Sequence, residues 1–276
     1  MSEKPAAPAA PAAPASNKSP RATLIKPAEL SFSSGVVTGA DRIIVYGAGG
    51  IGKSTLCAHL PAPGFLDAER GTRKLNVARD NVNSWIDLRG KVNGIAAAPP
   101  SWMRSLVVDT ATAAEEFAKE YVVATRKTEK GKAVDSIEGF GWGKGWQFVC
   151  DEVNGLLSDL ERVQDQGINV CLIAHEIASP VPNPGGEDYI RWEPHLYSGD
   201  KKGRGSIRDR VKQWADHVLF VGYDVHVEDG KGQGSGTRTI YTKELPTHIA
   251  KARGPQTSFA FTESDPGAVW RALEIS

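Results

Sequence analysis

Short apolar runs alternate with longer amphipathic segments along the chain from about residue 30 onwards. The runs at 43–46, 106–109 and 170–174 are rich in β-branched residues, which is typical of strands buried on both faces. Between them lie segments whose apolar residues recur at helical spacing, most clearly at 145–166. Buried strands that alternate with helices predict an α/β fold with a mainly parallel, twisted sheet and helices on both faces.

The remaining elements follow from the same pattern. Further strands are predicted at 64–67, 85–88, 218–221 and 239–242, and further helices at 53–60 and 112–127. Residues 178–212 are rich in glycine, proline and charge, and we expect a mobile loop there.

The amino-terminal segment differs in composition from the rest of the chain. Residues 1–30 contain an Ala/Pro tract, which prevents a helix and buries too little surface to fold alone. We expect a disordered tail, either a dispensable arm or a tether, followed by one domain at 31–276.

Charge and cysteine content narrow the class of protein. Lysine plus arginine and aspartate plus glutamate both number 33, and this balance argues against coating of nucleic acid by bulk charge. The sequence has neither an apolar run of about 18 residues nor a signal-peptide core, so we expect no membrane span and no secretion. The spacing of Cys57, Cys150 and Cys171 does not match a metal site. We expect Cys57 and Cys171, which lie in apolar runs, to be buried free thiols in a reducing cytoplasm.

A glycine-rich string lies between the first predicted strand and a helix. It reads GAGGIGKST and fits the pattern G-x-x-x-x-G-K-[ST] of a phosphate-binding loop, or P-loop. In such a loop, backbone N–H groups surround the phosphates of a nucleotide. The lysine of this pattern reaches the β- and γ-phosphates, and the serine hydroxyl ligates Mg²⁺. A chance glycine turn is the alternative, and the strand and helix context favours ATP with Mg²⁺. The predicted nucleotide-binding residues are Gly47, Ala48, Gly49, Gly50, Ile51, Gly52, Lys53, Ser54 and Thr55.

Acidic residues follow two predicted strands, at the edge where parallel sheets bind ligands. Asp109 ends the run LVVD, where a carboxylate holds Mg²⁺ directly or through water; an acidic helix cap is the alternative. The next residue is Thr110, not the glutamate that activates water in many P-loop ATPases. Glu69, in the string DAERG, is therefore the best available base, unless Asp67 or Glu69 caps a turn.

A histidine ends another buried strand. His175 follows the run VCLIA, and a neutral imidazole there can donate to the γ-phosphate and report its loss to the following loop. The alternative is a structural histidine with no contact to nucleotide.

Basic and aromatic residues cluster after His175. Cations with aromatic side chains suit single-stranded DNA, because the charges track phosphates and the rings stack on bases. A solvated loop or a subunit interface is the alternative. The predicted DNA-binding residues are Trp192, Lys201, Lys202, Arg204, Arg208 and Arg210.

Two other segments carry cations or aromatics. Lys251 and Arg253 follow the last strands and are predicted to reach the ATP of a neighbouring subunit, where they would stabilise transition-state charge; an exposed basic turn is the alternative. Residues 140–146, which read FGWGKGW, are either a second nucleic-acid loop or a glycine-hinged turn with two buried tryptophans.

These motifs together resemble a known family. The P-loop, DAERG, LVVDT, LIAHE and the late KAR, over roughly 40–256, resemble the phage-encoded RecA-like ATPases of single-strand annealing and recombination. The resemblance implies an AAA-type ATP-binding protein with a RecA-like P-loop NTPase core. It implies a water-activating role for Glu69, metal coordination by Ser54 and Asp109, and action across a subunit boundary for Lys251 and Arg253. His175 takes the place of a γ-phosphate sensor that is glutamine in RecA.

The function expected from this resemblance is ATP-dependent binding of single-stranded DNA by an oligomer, either a ring or a filament, in the cytoplasm of a bacterial host. A single-strand-binding protein or another recombination protein is an expected partner. No extra DNA-binding domain is apparent in the sequence, which favours annealing or a mediator role over strand exchange. The alternatives are a small-molecule kinase, with 198–212 as its lid, and a helicase loader.

Overall fold

The structure is a computed structural model that describes residues 31–32, 34–35, 39–200, 205–228 and 231–276, with the backbone alone for 225–228 and 231–235. The chain divides into the units Met1–Thr38 and Gly39–Ser276, and every element below belongs to the second unit. The predicted tail at 1–30 lies outside the described residues.

Strands and helices alternate through the first two thirds of this unit. The strands are β1 (Arg42–Gly47), β2 (Pro63–Asp67), β3 (Ala78–Asn81), β4 (Ser105–Asp109), β5 (Asn169–Val181), β6 (Tyr189–Pro194), β7 (His217–Glu228), β8 (Lys231–Tyr241) and β9 (Ser258–Ala260). The helices are α1 (Lys53–Cys57), α2 (Trp85–Ala97), α3 (Ala111–Thr125), α4 (Lys144–Gln164), α5 (Ile207–Trp214) and α6 (Ala268–Ala272).

The strands form one mixed sheet in the order β3-β2-β4-β5-β1-β7-β8-β9, and β6 pairs with β5 outside this order. The neighbours from β3 to β7 are parallel, and the pairs β5–β6, β7–β8 and β8–β9 are antiparallel. The predicted α/β fold with a mainly parallel sheet is therefore confirmed. β5 separates the P-loop strand β1 from the aspartate strand β4.

Both faces of the sheet are covered, because successive residues of a strand point to opposite faces. On one face, Ile44 and Tyr46 pack in a large apolar cluster with helices α2 to α5. On the other, Ile43 and Val45 pack in a smaller cluster with α1 and α6. The thiols of Cys57 and Cys171 are free and buried, as predicted, in that smaller cluster.

The carboxy-terminal helix supports the helix that follows the P-loop. Trp270 of α6 is 2% exposed, and its indole Nε1 donates to the backbone oxygen of Leu56 in α1 over 2.9 Å. Leu56 and Val269 belong to the same apolar cluster. The carboxy-terminal residues therefore pack directly against α1 and support it.

Two of the predicted elements are wrong. Residues 85–88, predicted as a strand, form the first turn of α2, because the Ser84 side chain caps the helix by accepting from the Asp87 N–H. The predicted loop at 178–212 instead contains the end of β5, β6 and α5. Pro182, Pro184, Gly185 and Gly186 lie in the turn between β5 and β6.

Candidate active site

The parallel register brings the carboxyl ends of β1, β2 and β4 to one edge of the sheet, where β5 passes between β1 and β4 and continues beyond them. Gly47, the last residue of β1, lies beside His175 of β5, and Asp67 lies beside Asp109 where β2 pairs with β4. This is the carboxyl edge, at which open parallel sheets bind ligands.

Glycine is required where the P-loop leaves β1. A Cβ on Gly47 would lie 2.3 Å from the backbone oxygen of Val221, so no larger residue fits beside β7. Gly50 and Gly52 have φ values of +77° and +105°, which favour glycine. The loop that the sequence predicts is therefore formed as a tight turn that leads into α1.

Lys53 lies inside this turn. Its ammonium donates to the backbone oxygens of Gly47 and Ala48, both over 2.8 Å, and the residue is 6% exposed. Burial lowers the pKa of Lys53, while the nearby carboxylates of Asp109, Glu176 and Glu69 act in the opposite direction. A cation held by two neutral carbonyls among carboxylates is suited to exchange those carbonyls for phosphate oxygens.

Ser54 and Asp109 make direct contact, as the metal prediction requires. The Ser54 hydroxyl donates to Asp109 Oδ2 over 2.6 Å, and Asp109 is 4% exposed. Burial raises the pKa of the Asp109 carboxyl, and the Ser54 bond opposes this effect. Mg²⁺ prefers oxygen ligands and takes only one or two from the protein when phosphates and water supply the others. This pair of oxygens therefore fits Mg²⁺, which would lower the cost of an ionised carboxylate here.

The two acidic residues after β2 have different surroundings. Asp67 is 1% exposed and accepts hydrogen bonds from the Thr72 N–H over 3.0 Å, the Thr72 hydroxyl and the Gly71 N–H over 3.1 Å. Burial opposes ionisation of Asp67, but the bonds from Thr72 and Gly71 hold the pKa of its carboxyl below the ordinary value. Asp67 therefore holds the 3₁₀ turn Gly71–Lys74. The sequence left open whether Asp67 or Glu69 caps a turn, and the structure shows that Asp67 does.

Glu69 instead faces the other strand ends. Its Oε1 accepts from the Thr110 hydroxyl over 2.7 Å and lies 3.0 Å from His175 Nε2. The Glu69 and His175 side chains are 37% and 36% exposed. The predicted base and the predicted sensor are thus in contact, at an edge that solvent can reach.

Two residues of this edge have no predicted role in the sequence analysis. Thr110, joined to Asp109 by a cis peptide bond, caps α3 by accepting from the Ala113 N–H and also holds Glu69. Burial raises the pKa of Glu176, and Lys53 is the neighbouring charge that opposes the shift. Glu176 follows His175 in β5. Because successive residues of a strand point to opposite faces, the sequence could have indicated that the Glu176 side chain lies on the face opposite to that of His175.

Lys251 and Arg253 lie at the opposite, amino-terminal edge of the sheet. Lys251 pairs with Val218 at the start of β7, and its ammonium donates to the backbone oxygen of Ala215, just after α5, over 2.5 Å. Arg253 is 2.9 Å from Asp216 and its side chain is 68% exposed. Neither reaches the P-loop of its own chain from that edge, and their action on the ATP of a second chain stays a prediction.

One member of the predicted DNA-binding set is corrected. Arg208 is 7% exposed; it forms an ion pair with Glu193 and donates to the Ser179 hydroxyl and the Leu196 backbone oxygen, over 3.0 and 3.1 Å. These bonds join α5 to β5 and β6, so Arg208 is a structural residue and is not available to DNA. Its pairing partners lie too far away in sequence for the charge pattern to reveal them.

The other members of that set remain predictions. Trp192 lies on β6 and is 40% exposed, and Arg210 is exposed on α5. Lys201, Lys202 and Arg204 lie outside the described residues. Of the two alternatives for 140–146, the turn with two buried tryptophans is wrong, because Trp142 is fully exposed, while Trp146 is half-buried and stacks on Tyr197 with ring centroids 3.8 Å apart. The second nucleic-acid loop stays a prediction.

A buried carboxylate ties α3 to the segment after β6. Glu115 is 8% exposed and accepts from the Tyr197 N–H over 2.8 Å. Burial raises the pKa of the Glu115 carboxyl to about 7 against an ordinary value of 4.5, and the Tyr197 bond opposes this effect. Ionisation of this group therefore costs stability near neutral pH.

Replacing Glu115 with glutamine is expected to remove a pH dependence of stability. Between the unfolded value of 4.5 and the folded value of about 7, the folded chain keeps a proton that the unfolded chain has released, so stability falls as pH rises. The free energy of unfolding of the wild type should fall relative to Glu115→Gln by up to about 3 kcal/mol between pH 5 and 8. Urea unfolding at several pH values measures this, and Glu116→Gln on the same helix is the control. Equal pH profiles for the wild type and Glu115→Gln would contradict the expectation.

A glycine turn around a buried lysine, a serine in contact with an aspartate, and the order of strands around them define a P-loop nucleotide-binding site in an α/β sheet. The family model described as AAA domain (AAA_24) matches residues 40–254. The chain therefore belongs to this family of AAA-type P-loop ATPases, which supports nucleotide binding and ATPase activity. A comparison with curated proteins gave no match. In the described part of the chain, no helix has the length and apolar character needed to cross a membrane.

Proposed function

We propose that this protein hydrolyses ATP with Glu69 as the base that activates water. The observation that carries the proposal is the position of Glu69, which Thr110 and His175 hold at the same sheet edge as Lys53 and Asp109. Thr110 stands where many P-loop ATPases carry their base, and its hydroxyl contacts the carboxylate that takes over this role.

In the proposed reaction, a water oxygen attacks the γ-phosphorus of ATP as the bond from that phosphorus to the bridging oxygen breaks. Glu69 accepts the water proton, and ADP and phosphate are the products. Lys53 releases the carbonyls of Gly47 and Ala48 and binds phosphate oxygens. Mg²⁺, held by Ser54 and Asp109, would supply positive charge that offsets the charge on the phosphates. The exposed Arg253 of a neighbouring subunit would add a further cation, with Lys251 beside it.

We further propose that ATP hydrolysis acts on single-stranded DNA bound by an oligomer, in the manner of a phage annealing or recombination ATPase. Support comes from the path of β5, which carries His175 and continues to Val181 in a hairpin with β6. On that hairpin Trp192 and Ile190 are 40% and 61% exposed. A change at the Glu69–His175 contact would move along this strand to an exposed aromatic side chain, which suits stacking on a base.

The test of this function is the ATPase rate with and without single-stranded DNA over a series of salt concentrations. We expect stimulation by DNA that declines as salt rises, because phosphate contacts release counterions. Trp192→Ala should raise the DNA concentration needed for half-maximal stimulation several-fold, while Trp102→Ala, which removes another exposed tryptophan, should not. ATP turnover that ignores DNA but requires a small acceptor molecule would support a kinase instead.

A further inference from the structure

An arginine outside the nucleotide motifs contacts the backbone of the P-loop. Arg238 of β8 donates from Nη1 to the backbone oxygen of Ile51 over 3.0 Å. Its guanidinium carbon lies 4.4 Å from the centroid of the Phe261 ring, a cation–π geometry. The Phe261 N–H in turn donates to the Arg238 backbone oxygen over 2.8 Å, so the backbone joins the two residues that carry these side chains.

This pair packs against main chain and leaves no room for a side chain. A Cβ on Gly52 would lie 2.8 Å from Arg238 Nη1 and 2.8 Å from Phe261 Cε1. Phe261 is 5% exposed, and Arg238 is half-buried. The last glycine of the P-loop thus rests directly on the guanidinium and the ring.

The hydrogen bond to Ile51 has a consequence for the next amide. The Ile51–Gly52 peptide bond is trans, and in a trans peptide the C=O and the following N–H point in opposite directions. Since Arg238 binds the Ile51 oxygen, the Gly52 N–H points away from the Arg238 guanidinium, which leaves it available to a phosphate bound in the turn. N–H groups inside such a turn are the donors that bind phosphate.

We propose that Arg238 is a positioning residue of the phosphate site, acting through the orientation of the Ile51–Gly52 peptide. The inference rests on the proposed binding of a nucleoside triphosphate at this loop. It requires no contact between Arg238 and the γ-phosphate, so ADP and ATP should depend on Arg238 to the same degree. A direct contact with the γ-phosphate would make ATP more dependent than ADP.

Calorimetric titration with ADP and with a nonhydrolysable ATP analogue, in the presence of Mg²⁺, tests the proposal. Arg238→Ala and Arg238→Met remove the donor, and the methionine keeps a long side chain against Phe261. We expect both to weaken both ligands by the same factor, about tenfold or more, since a hydrogen bond from a charged group is lost. Arg238→Lys, which restores a cationic donor, should bind more tightly than Arg238→Met.

The matched control is Arg79→Ala. Arg79 lies on the edge strand β3, and its guanidinium also donates to backbone oxygens, those of Leu75 and Val77. This variant should bind both ligands as the wild type does. Amide hydrogen exchange at 47–56 without nucleotide should be faster in Arg238→Met, and unchanged in Arg79→Ala, if the guanidinium orders the loop.

The results separate this proposal from the proposed function. Failure of the wild type to bind either nucleotide would overturn both. Wild-type binding that is unaltered in a folded Arg238→Met, a loss confined to the ATP analogue, or a lysine variant no better than the methionine variant would overturn the role of Arg238 alone. If Arg238→Ala fails to fold, the methionine and lysine variants give the same decision.

Discussion

Replacing Lys53 with alanine is expected to abolish ATP turnover while leaving the protein folded. The ammonium is the cation of the P-loop, and the loss of a charge that stabilises phosphate oxygens in the transition state should lower kcat/KM by at least about a hundredfold. Stability should change by no more than about 3 kcal/mol, because the cost of burying the ammonium offsets part of what its bonds to the two carbonyls contribute. Steady-state ATPase assays and urea unfolding measure the two effects.

Lys91→Ala is the control for this experiment. Lys91 lies on α2 and pairs with Asp80 and Asp87, so it tests for a general effect of losing a lysine. Unchanged turnover in Lys53→Ala would mean that the P-loop is not the site of hydrolysis. An equal loss in both variants would point to an effect on the whole protein.

Replacing Glu69 with glutamine is expected to stop hydrolysis but to keep ATP binding. Glutamine retains an oxygen that accepts from Thr110 but cannot take a proton from water, so kcat should fall by about a hundredfold or more. The dissociation constant of a nonhydrolysable ATP analogue should stay within a few-fold of the wild-type value. Single-turnover hydrolysis together with a binding titration gives both quantities.

Glu116→Gln provides the matching control, because Glu116 is a glutamate on α3 that pairs with Lys119. It should hydrolyse ATP at the wild-type rate. Near-normal hydrolysis by Glu69→Gln would remove Glu69 as the base, and loss of nucleotide binding would show that this carboxylate supports the site structurally.

The sequence predicted the sheet and its carboxyl edge well because the signals there are local. A parallel strand that is buried on both faces is a continuous apolar run, and the runs at β1, β2, β4 and β5 were recognisable for that reason. The P-loop is contiguous, so the positions of Lys53 and Ser54 followed from it. The contact between Ser54 and Asp109 joins two such signals, one after β1 and one at the end of β4, with β5 between these strands.

Local signals were insufficient where a role depends on distant partners. Residues 85–88 have the apolar character of a strand, and the burial of Trp85, Leu88 and Val92 at helical spacing becomes evident only when α2 packs on the sheet. In the sequence, Arg208 belongs to a basic cluster that suits DNA, and only the folded structure shows that it forms an ion pair with Glu193. The contacts of Glu69 with His175 and of Arg238 with Ile51 span 106 and 187 positions, and no pattern along the chain encodes them.

The packing of the last residues bears on how this protein can be shortened. The family match ends at residue 254, yet Phe261 and Trp270 lie beyond that point and contact the P-loop and the helix after it. A chain that ends at residue 254 would expose the apolar face of α1 that packs on α6. It would also lack Phe261, the aromatic ring that contacts Arg238. Truncated versions made for crystallisation or screening should therefore extend to Ser276, or they will report on a weakened catalytic loop.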